Sequence, residues 1–147
     1  MDLDNKAELK IWSCSENIGL ARLAAASFAS QLEFTLTEIE EIKMAISEAV
    51  TNSIVHGYGQ EKGWIKLEMG IKDRTLILEL TDWGKGLTEE KGEKEQEVGG
   101  EGLGLIFIRN FMDQVDIESH PGQGTKVKMS LKAGRESRTG CDLSDEE

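Results

Sequence analysis

Glu48, Asn52 and His56 recur at every fourth place in Glu48-Ala-Val-Thr-Asn52-Ser-Ile-Val-His56, inside a stretch whose apolar residues repeat with a helical period. At roughly 3.6 residues per turn, each step of four advances by only about 40°, so the three polar residues form one stripe on a helix. The apolar residues of that helix are Ile39, Ile42, Ala45, Ile46 and Ala49, at helical spacing. A carboxylate and an amide oxygen on one stripe can hold a hard cation such as Mg²⁺, or a water attached to it. Downstream, Asp82-Trp-Gly84-Lys-Gly86 and Gly100-Glu-Gly102-Leu-Gly104 are glycine turns with few side chains. Such turns let backbone N–H groups close on a phosphate. An acid, a metal-compatible amide and two glycine turns together indicate a nucleotide site.

The remaining segments arrange themselves around this helix. Ala7, Leu9 and Ile11 alternate with polar residues, as in a short half-buried strand. Ser15 is placed to cap a first helix carrying Ile18, Ala21, Ala25, Phe28, Ala29 and Leu32 at helical spacing. The second helix begins at Thr37, with Glu40 in capping-box position, and Gly57 is its natural stop. Residues 63–71 and 74–81 read as strands joined at Lys72-Asp73. From 83 to 102 the chain is rich in Gly, Glu and Lys with almost nothing to bury, the composition of a mobile lid. Ile106, Ile108, Phe111 and Met112 indicate a third helix, and strands near 115–119 and 125–131 flank the turn Pro121-Gly-Gln-Gly124. Residues 1–132 are therefore one domain, and 133–147 an acidic tail expected to be disordered. The segment order implies an α/β fold, an α+β two-layer sandwich with a mixed sheet of about five strands and three helices on one face.

Composition bounds the partners. The chain has 147 residues, is 38% hydrophobic and 31% charged, and carries a net charge of −11. No basic stripe alternates with aromatics, so direct nucleic-acid binding is not expected. The same acidity repels a nucleotide triphosphate unless a divalent cation accompanies it, which favours a metal-dependent site. No apolar run approaches the roughly 20 residues that span a bilayer, and the N-terminus lacks the basic and apolar regions of a secretory signal. Cys14 and Cys141 match no metal-ligand spacing and read as reduced thiols of a cytoplasmic protein.

Taken singly, these motifs are ordinary. A Glu-x-x-x-Asn pair is common on solvent-facing helices, and a histidine near a helix C-terminus favours the helix dipole when protonated. Asp82 with Gly84 and Gly86 is a normal turn after a strand. Gly100-x-Gly102-x-Gly104 is not the dinucleotide fingerprint, and there is no P-loop, H-E-x-x-H or G-x-S-x-G. Order, spacing and placement on helix, strand end and lid give the combination its weight.

That combination resembles the Bergerat-fold ATPases, the superfamily of gyrase B subunits, sensor histidine kinases, MutL-type repair proteins and one class of heat-shock chaperone. The helix bearing Glu48 and Asn52 is similar to their N box. Asp82-Trp-Gly84-Lys-Gly86 is similar to the first glycine box, Gly100-Glu-Gly102-Leu-Gly104-Leu to the second, and Gly124-Thr125 to the last short box. Within the superfamily the sequence resembles the bacterial anti-sigma factors that are serine kinases. Ser47-Glu-Ala-Val-Thr-Asn-Ser-Ile-Val-His-Gly-Tyr58 and Ile108-Arg-Asn-Phe-Met-Asp113 are near their wording, and Ala21-Arg22-Leu-Ala-Ala-Ala-Ser-Phe resembles their partner-binding first helix. The resemblance covers about residues 7–132.

It implies a role for each matching residue. Asp82 would accept a hydrogen bond from the adenine amino group, and Asn52 would ligate Mg²⁺. Glu48 would be the general base that takes the proton from a substrate serine. Gly84 and Gly86 would allow close approach to ATP or ADP; Gly100, Gly102 and Gly104 would line the phosphates, and Thr125 would sit near the base. Arg22 would contact both a sigma factor and an anti-anti-sigma protein, and the protein would form a homodimer. Two departures stand out: a short lid with Lys91 and Lys94 as its basic residues, and Trp83 in a glycine-box position where a small or polar residue is more usual. The implied function is an anti-sigma factor and ATP- and Mg²⁺-dependent serine/threonine kinase that phosphorylates the anti-anti-sigma protein. The alternatives are a nucleotide-dependent sigma- or partner-binding module without kinase activity, and an ATPase domain of sensor-kinase type.

Overall fold

The computed structural model describes residues 2–86, 106 and 108–134. Strand β1 (Asn5–Trp12) leads through a 3-10 turn (Ser15–Asn17) into helix α1 (Ile18–Ala29). Helix α2 (Leu36–Asn52) runs directly into a π-helical turn (Ser53–Tyr58). Strands β2 (Trp64–Lys72), β3 (Thr75–Asp82), β4 (Gln114–His120) and β5 (Gly124–Lys132) complete one sheet in the order β1-β2-β3-β5-β4.

Every neighbouring pair in this sheet is antiparallel, which corrects the mixed sheet expected from the sequence. Two helices separate β1 from β2, so the chain re-enters the sheet running the opposite way; a single crossover helix would have produced a parallel pair. β3 and β4 do run parallel to one another, but β5 is inserted between them and pairs with both.

Alternation then sorts the side chains into two layers. Ile65, Leu67, Met69 and Ile71 on β2, Leu76, Leu78 and Leu80 on β3, and Val127, Met129 and Leu131 on β5 are buried in one core with the helices. Full burial of such side chains is worth about 1.5–3 kcal/mol each, offset by the entropy of ordering the chain. Lys66, Glu68, Glu79, Lys126 and Lys128 occupy the alternate positions, where Lys126 pairs with Glu79 at 3.3 Å. α1 contributes Ala21, Ala25, Phe28 and Ala29, and α2 contributes Ile42, Ala45, Ile46, Ala49 and Val50. The alanines let the two helices approach closely. A third helical segment at 108–111 brings Ile108 into the same core, followed by Met112.

The element boundaries differ from expectation in instructive ways. α2 is capped by Thr35 rather than Thr37: Thr35 Oγ1 accepts from Glu38 N–H at 3.0 Å, and Glu38 Oε1 accepts from Thr35 N–H at 2.9 Å. Both T-x-x-E registers exist in the sequence, and the apolar flanks decide between them. With Thr35 as cap, Phe34 and Ile39 take the two staple positions, and both pack on the core. With Thr37 as cap, Leu36 would take one of them, yet it is 86% exposed. Ser15 makes no cap bond; the 3-10 turn intervenes, and Asn17 Nδ2 donates to the Trp12 carbonyl instead. The β2–β3 connection is Asp73-Arg74, one residue later than expected, with both residues at positive φ as a two-residue hairpin turn requires. Helical winding continues past Gly57 to Tyr58, and Gly59 at φ 61° ends it.

Candidate functional site

The C-terminal part of α2 and its π-helical turn cross the ends of β3 and β5 and leave a cleft there. Asn52, His56, Asp82 and Thr125 supply its polar lining, Ala49, Ile117 and Val127 its apolar walls, and Ser53, Gly57 and Gly86 the remainder. Apolar walls with a few convergent polar groups suit a planar heterocycle.

Asp82 is the unusual group. It ends the core-facing row of β3, after Leu76, Leu78 and Leu80, and is only 3% exposed. Its two oxygens are held separately: Ser53 Oγ donates to Oδ2 at 2.7 Å, and Gly84 N–H donates to Oδ1 at 2.9 Å. A carboxylate accepts through about four lone-pair sites, so lone pairs remain for a ligand N–H. Burial among apolar residues makes a carboxylate held in this way a selective acceptor, because a carbonyl placed opposite it would be repelled.

The glycines beside Asp82 are there for approach distance. A Cβ on Gly84 would overlap the Gly57 carbonyl, and Lys85 N–H donates to that carbonyl at 2.7 Å. Gly86 has φ 74°, and a Cβ there would overlap the His120 carbonyl. The first glycine turn is thus packed against both the π-helical turn and the β4–β5 loop. On the far wall, Thr125 lies directly across from Asp82 in the β3–β5 ladder, and its hydroxyl is 2.8 Å from that of Ser119.

Asn52, Asp82, Gly86 and Thr125, all anticipated from sequence, line one cleft, with Gly84 bonded to Asp82. Glu48 is half-buried one helical turn before Asn52 and does not itself line the cleft. Arg22 is exposed on α1, and its Nη1 reaches Ser47 Oγ at 3.4 Å, so it borders the turn of α2 that carries Glu48. Gly100, Gly102, Gly104, Lys91, Lys94, Cys141 and most of the lid and tail fall outside the described residues. Sequence reasoning missed Ser53 and Ser119. Ser53 directly follows Asn52, and that adjacency was the only available signal, because its partner lies 29 residues away.

Among the described residues, no three His, Cys, Asp or Glu side chains converge as a metal cluster. Asn52, in the lining of the cleft, still suits Mg²⁺, which typically takes one or two protein oxygens and completes its shell with water and phosphate. No described helix is long and apolar enough to cross a membrane.

Residues 11–131 match the family described as Histidine kinase-like ATPase domain. The chain is 44% identical over 138 residues to the anti-sigma F factor of Clostridium acetobutylicum, covering 88% of this chain and 95% of that protein. It is 41% identical over 143 residues to the anti-sigma F factor of Caldanaerobacter subterraneus, covering 92% and 99%. The anti-sigma F factor of Pasteuria penetrans is 38% identical over 136 residues, covering 87% and 91%. In structure the chain is similar to the histidine kinase domain of the Erythrobacter litoralis EL346 blue-light activated histidine kinase, with a TM-score of 0.56 at 16% identity. That match covers 81% of this chain and 60% of the other, and the likeness is one of fold. The chain belongs to the histidine kinase-like ATPase family and, within it, to the anti-sigma F factors.

Proposed function

We propose that this protein is an anti-sigma factor that sequesters a sigma factor and, using ATP and Mg²⁺, phosphorylates a serine of a small anti-anti-sigma protein. The observation that carries this reading is the continuity of three surfaces. The cleft around Asp82 meets Asn52 on α2, Glu48 lies one turn back along the same helix, and Arg22 borders that turn through Ser47. A nucleotide with its base on Asp82 and its phosphates toward Asn52 presents its γ-phosphate on the side where a partner gripped by Arg22 approaches.

In this reading Asp82 accepts from the adenine amino group, with Ile117 and Val127 against the ring and Thr125 near its edge. Asn52 holds Mg²⁺, which neutralises phosphate charge. Gly84 and Gly86 admit the nucleotide, with Gly100, Gly102 and Gly104 supplying phosphate contacts from the lid. Glu48 takes the proton of the substrate serine, whose oxygen bonds to the γ-phosphorus while the bond to ADP breaks and its electrons leave with ADP. Phosphoryl transfer asks a protein chiefly for positioning and charge neutralisation, which these residues provide. Residues 1–132 form the ATP-binding unit and 133–147 a tail outside it; the protein works in the cytoplasm as a homodimer.

A second reading is a nucleotide-dependent partner-binding module without kinase activity, favoured by the position of Glu48 outside the lining of the cleft. Capture of partners from the source cell, followed by incubation with labelled ATP, separates the two. Label on a serine of a captured small protein supports the kinase; capture of a sigma factor with no label on any partner supports the module.

A further inference from the structure

Tyr58 is the single tyrosine of the chain and the last residue of the π-helical turn, 8% exposed. Its hydroxyl donates to the Trp64 carbonyl at 2.6 Å and accepts from the Trp83 N–H at 2.9 Å. One oxygen therefore ties the start of β2 to the peptide immediately after Asp82. Gly63 lies against one side of the ring, so closely that a Cβ there would overlap it. Burial pushes the hydroxyl above the ordinary tyrosine range, the Trp83 N–H opposes this, and the Asp82 charge adds to the rise. The group therefore stays protonated and keeps donating to Trp64.

Ser53 and Tyr58 are the first and last residues of that turn. In an α-helix, five residues at about 100° each would point them about 140° apart. The wider π winding bonds residue i to i+5 and stacks them on one side. From that side Ser53 holds the Asp82 carboxylate, while Tyr58 holds the Asp82–Trp83 peptide. Side chain and main chain of one residue are thus anchored by a single turn of helix.

We infer that Tyr58 is a positioning residue for nucleobase selection: through the Trp83 N–H it holds the Asp82 carboxylate where an exocyclic amino group, and not a carbonyl, can bind. The inference rests on reading Asp82 as the base acceptor. A hydrogen bond weakens steeply with distance and angle, so loosening the peptide after Asp82 erodes the contrast between the two bases.

The test measures ADP and GDP affinity for the full chain, for Tyr58→Phe, for Asp82→Asn and for the double variant. Tyr58→Phe removes both bonds of the hydroxyl and should, by weakening the bond that Asp82 makes to the base, lower ADP affinity by up to about tenfold and reduce the ADP-over-GDP preference by a similar factor. In the Asp82→Asn background it should have no further effect. A lower Tm with unchanged base preference overturns the inference, as does an effect that adds fully to that of Asp82→Asn. If Asp82→Asn itself leaves ADP binding unchanged, the acceptor reading falls and this inference with it, an outcome distinct from a silent Tyr58→Phe alone. A second measurement keeps the hydroxyl in place. Fluorotyrosine replaces this residue alone, and its fluorine NMR resonance should move on saturation with ADP but not with GDP at the same concentration. A resonance that ignores ADP overturns the inference.

Discussion

Ser53 Oγ donates to Asp82 Oδ2 at 2.7 Å, joining the end of α2 to the end of β3 beneath a surface that exposes only 6% of one residue and 3% of the other. Removing the donor leaves a buried carboxylate oxygen short of a partner. Ser53→Ala should lower stability by about 1–3 kcal/mol, seen as a lower Tm without nucleotide. Asp82→Asn should instead weaken ATP binding by about 1.5–3 kcal/mol, or roughly ten- to a hundredfold. Titration with ATP and GTP checks the assignment, and equal affinity for both in the parent protein would remove it.

Glu48→Gln should separate transfer from binding. The amide keeps the shape but cannot accept a proton, so phosphorylation of the protein substrate should fall by about two orders of magnitude or more. Glu48 does not line the cleft, so nucleotide affinity should hardly change. Labelling at the parent rate would show that another group is the base.

Arg22→Ala should weaken the complexes with the sigma factor and the anti-anti-sigma protein by about 2–4 kcal/mol each, the scale of an arginine anchor at an interface. Lysine should not restore them, because it lacks the planar five-donor group. ATP binding should be untouched, since among the described residues Arg22 bonds to Ser47 and does not line the cleft. Deletion of residues 134–147 should affect neither complex. Calorimetry against each partner decides the matter.

Tyr58 gives the fold an alkaline limit. Burial first, and the Asp82 charge in addition, raise its hydroxyl above the ordinary 10.0. The native chain keeps this proton at pH values where the unfolded chain has lost it. The associated stability is complete below the ordinary pKa and is lost as pH rises through the native one. Tyrosinate absorbance reports this residue alone and should show ionisation above pH 10.0, together with unfolding. Ionisation at the ordinary value with the fold intact would contradict the buried, doubly bonded hydroxyl.

Much of this architecture is legible in the sequence because periodicity follows burial directly. The row Leu76, Leu78, Leu80 and the helical spacing of Ile42, Ile46 and Ala49 mark the core faces without any knowledge of their partners. What escapes are features decided between distant residues. The choice of Thr35 over Thr37 depends on where Phe34 and Leu36 end up, which no local pattern specifies. The site divides in the same way. Asn52, Asp82 and Gly84 announce themselves by residue type and place, whereas Ser53 and Ser119 look like ordinary serines until Asp82 and Thr125 arrive beside them. The π winding is equally hidden, since nothing in Ser53-Ile-Val-His-Gly-Tyr58 separates it from the α-helix before it.

The insertion of β5 between β3 and β4 has a consequence for how the chain is made. During synthesis from the N-terminus, α1, α2 and the β1–β2–β3 ribbon emerge first, and that part already contains Asn52, Ser53, Tyr58 and Asp82. Until β5 follows, β3 is a naked edge with an unpaired row of backbone donors and acceptors, the kind of edge that recruits strands from other nascent chains. Pairing of Asp82 with Thr125 closes that edge and builds the second wall of the cleft in one event. A ligand that bridges the two walls would therefore stabilise the last seam to close, by binding the finished fold and not the chain that lacks β5.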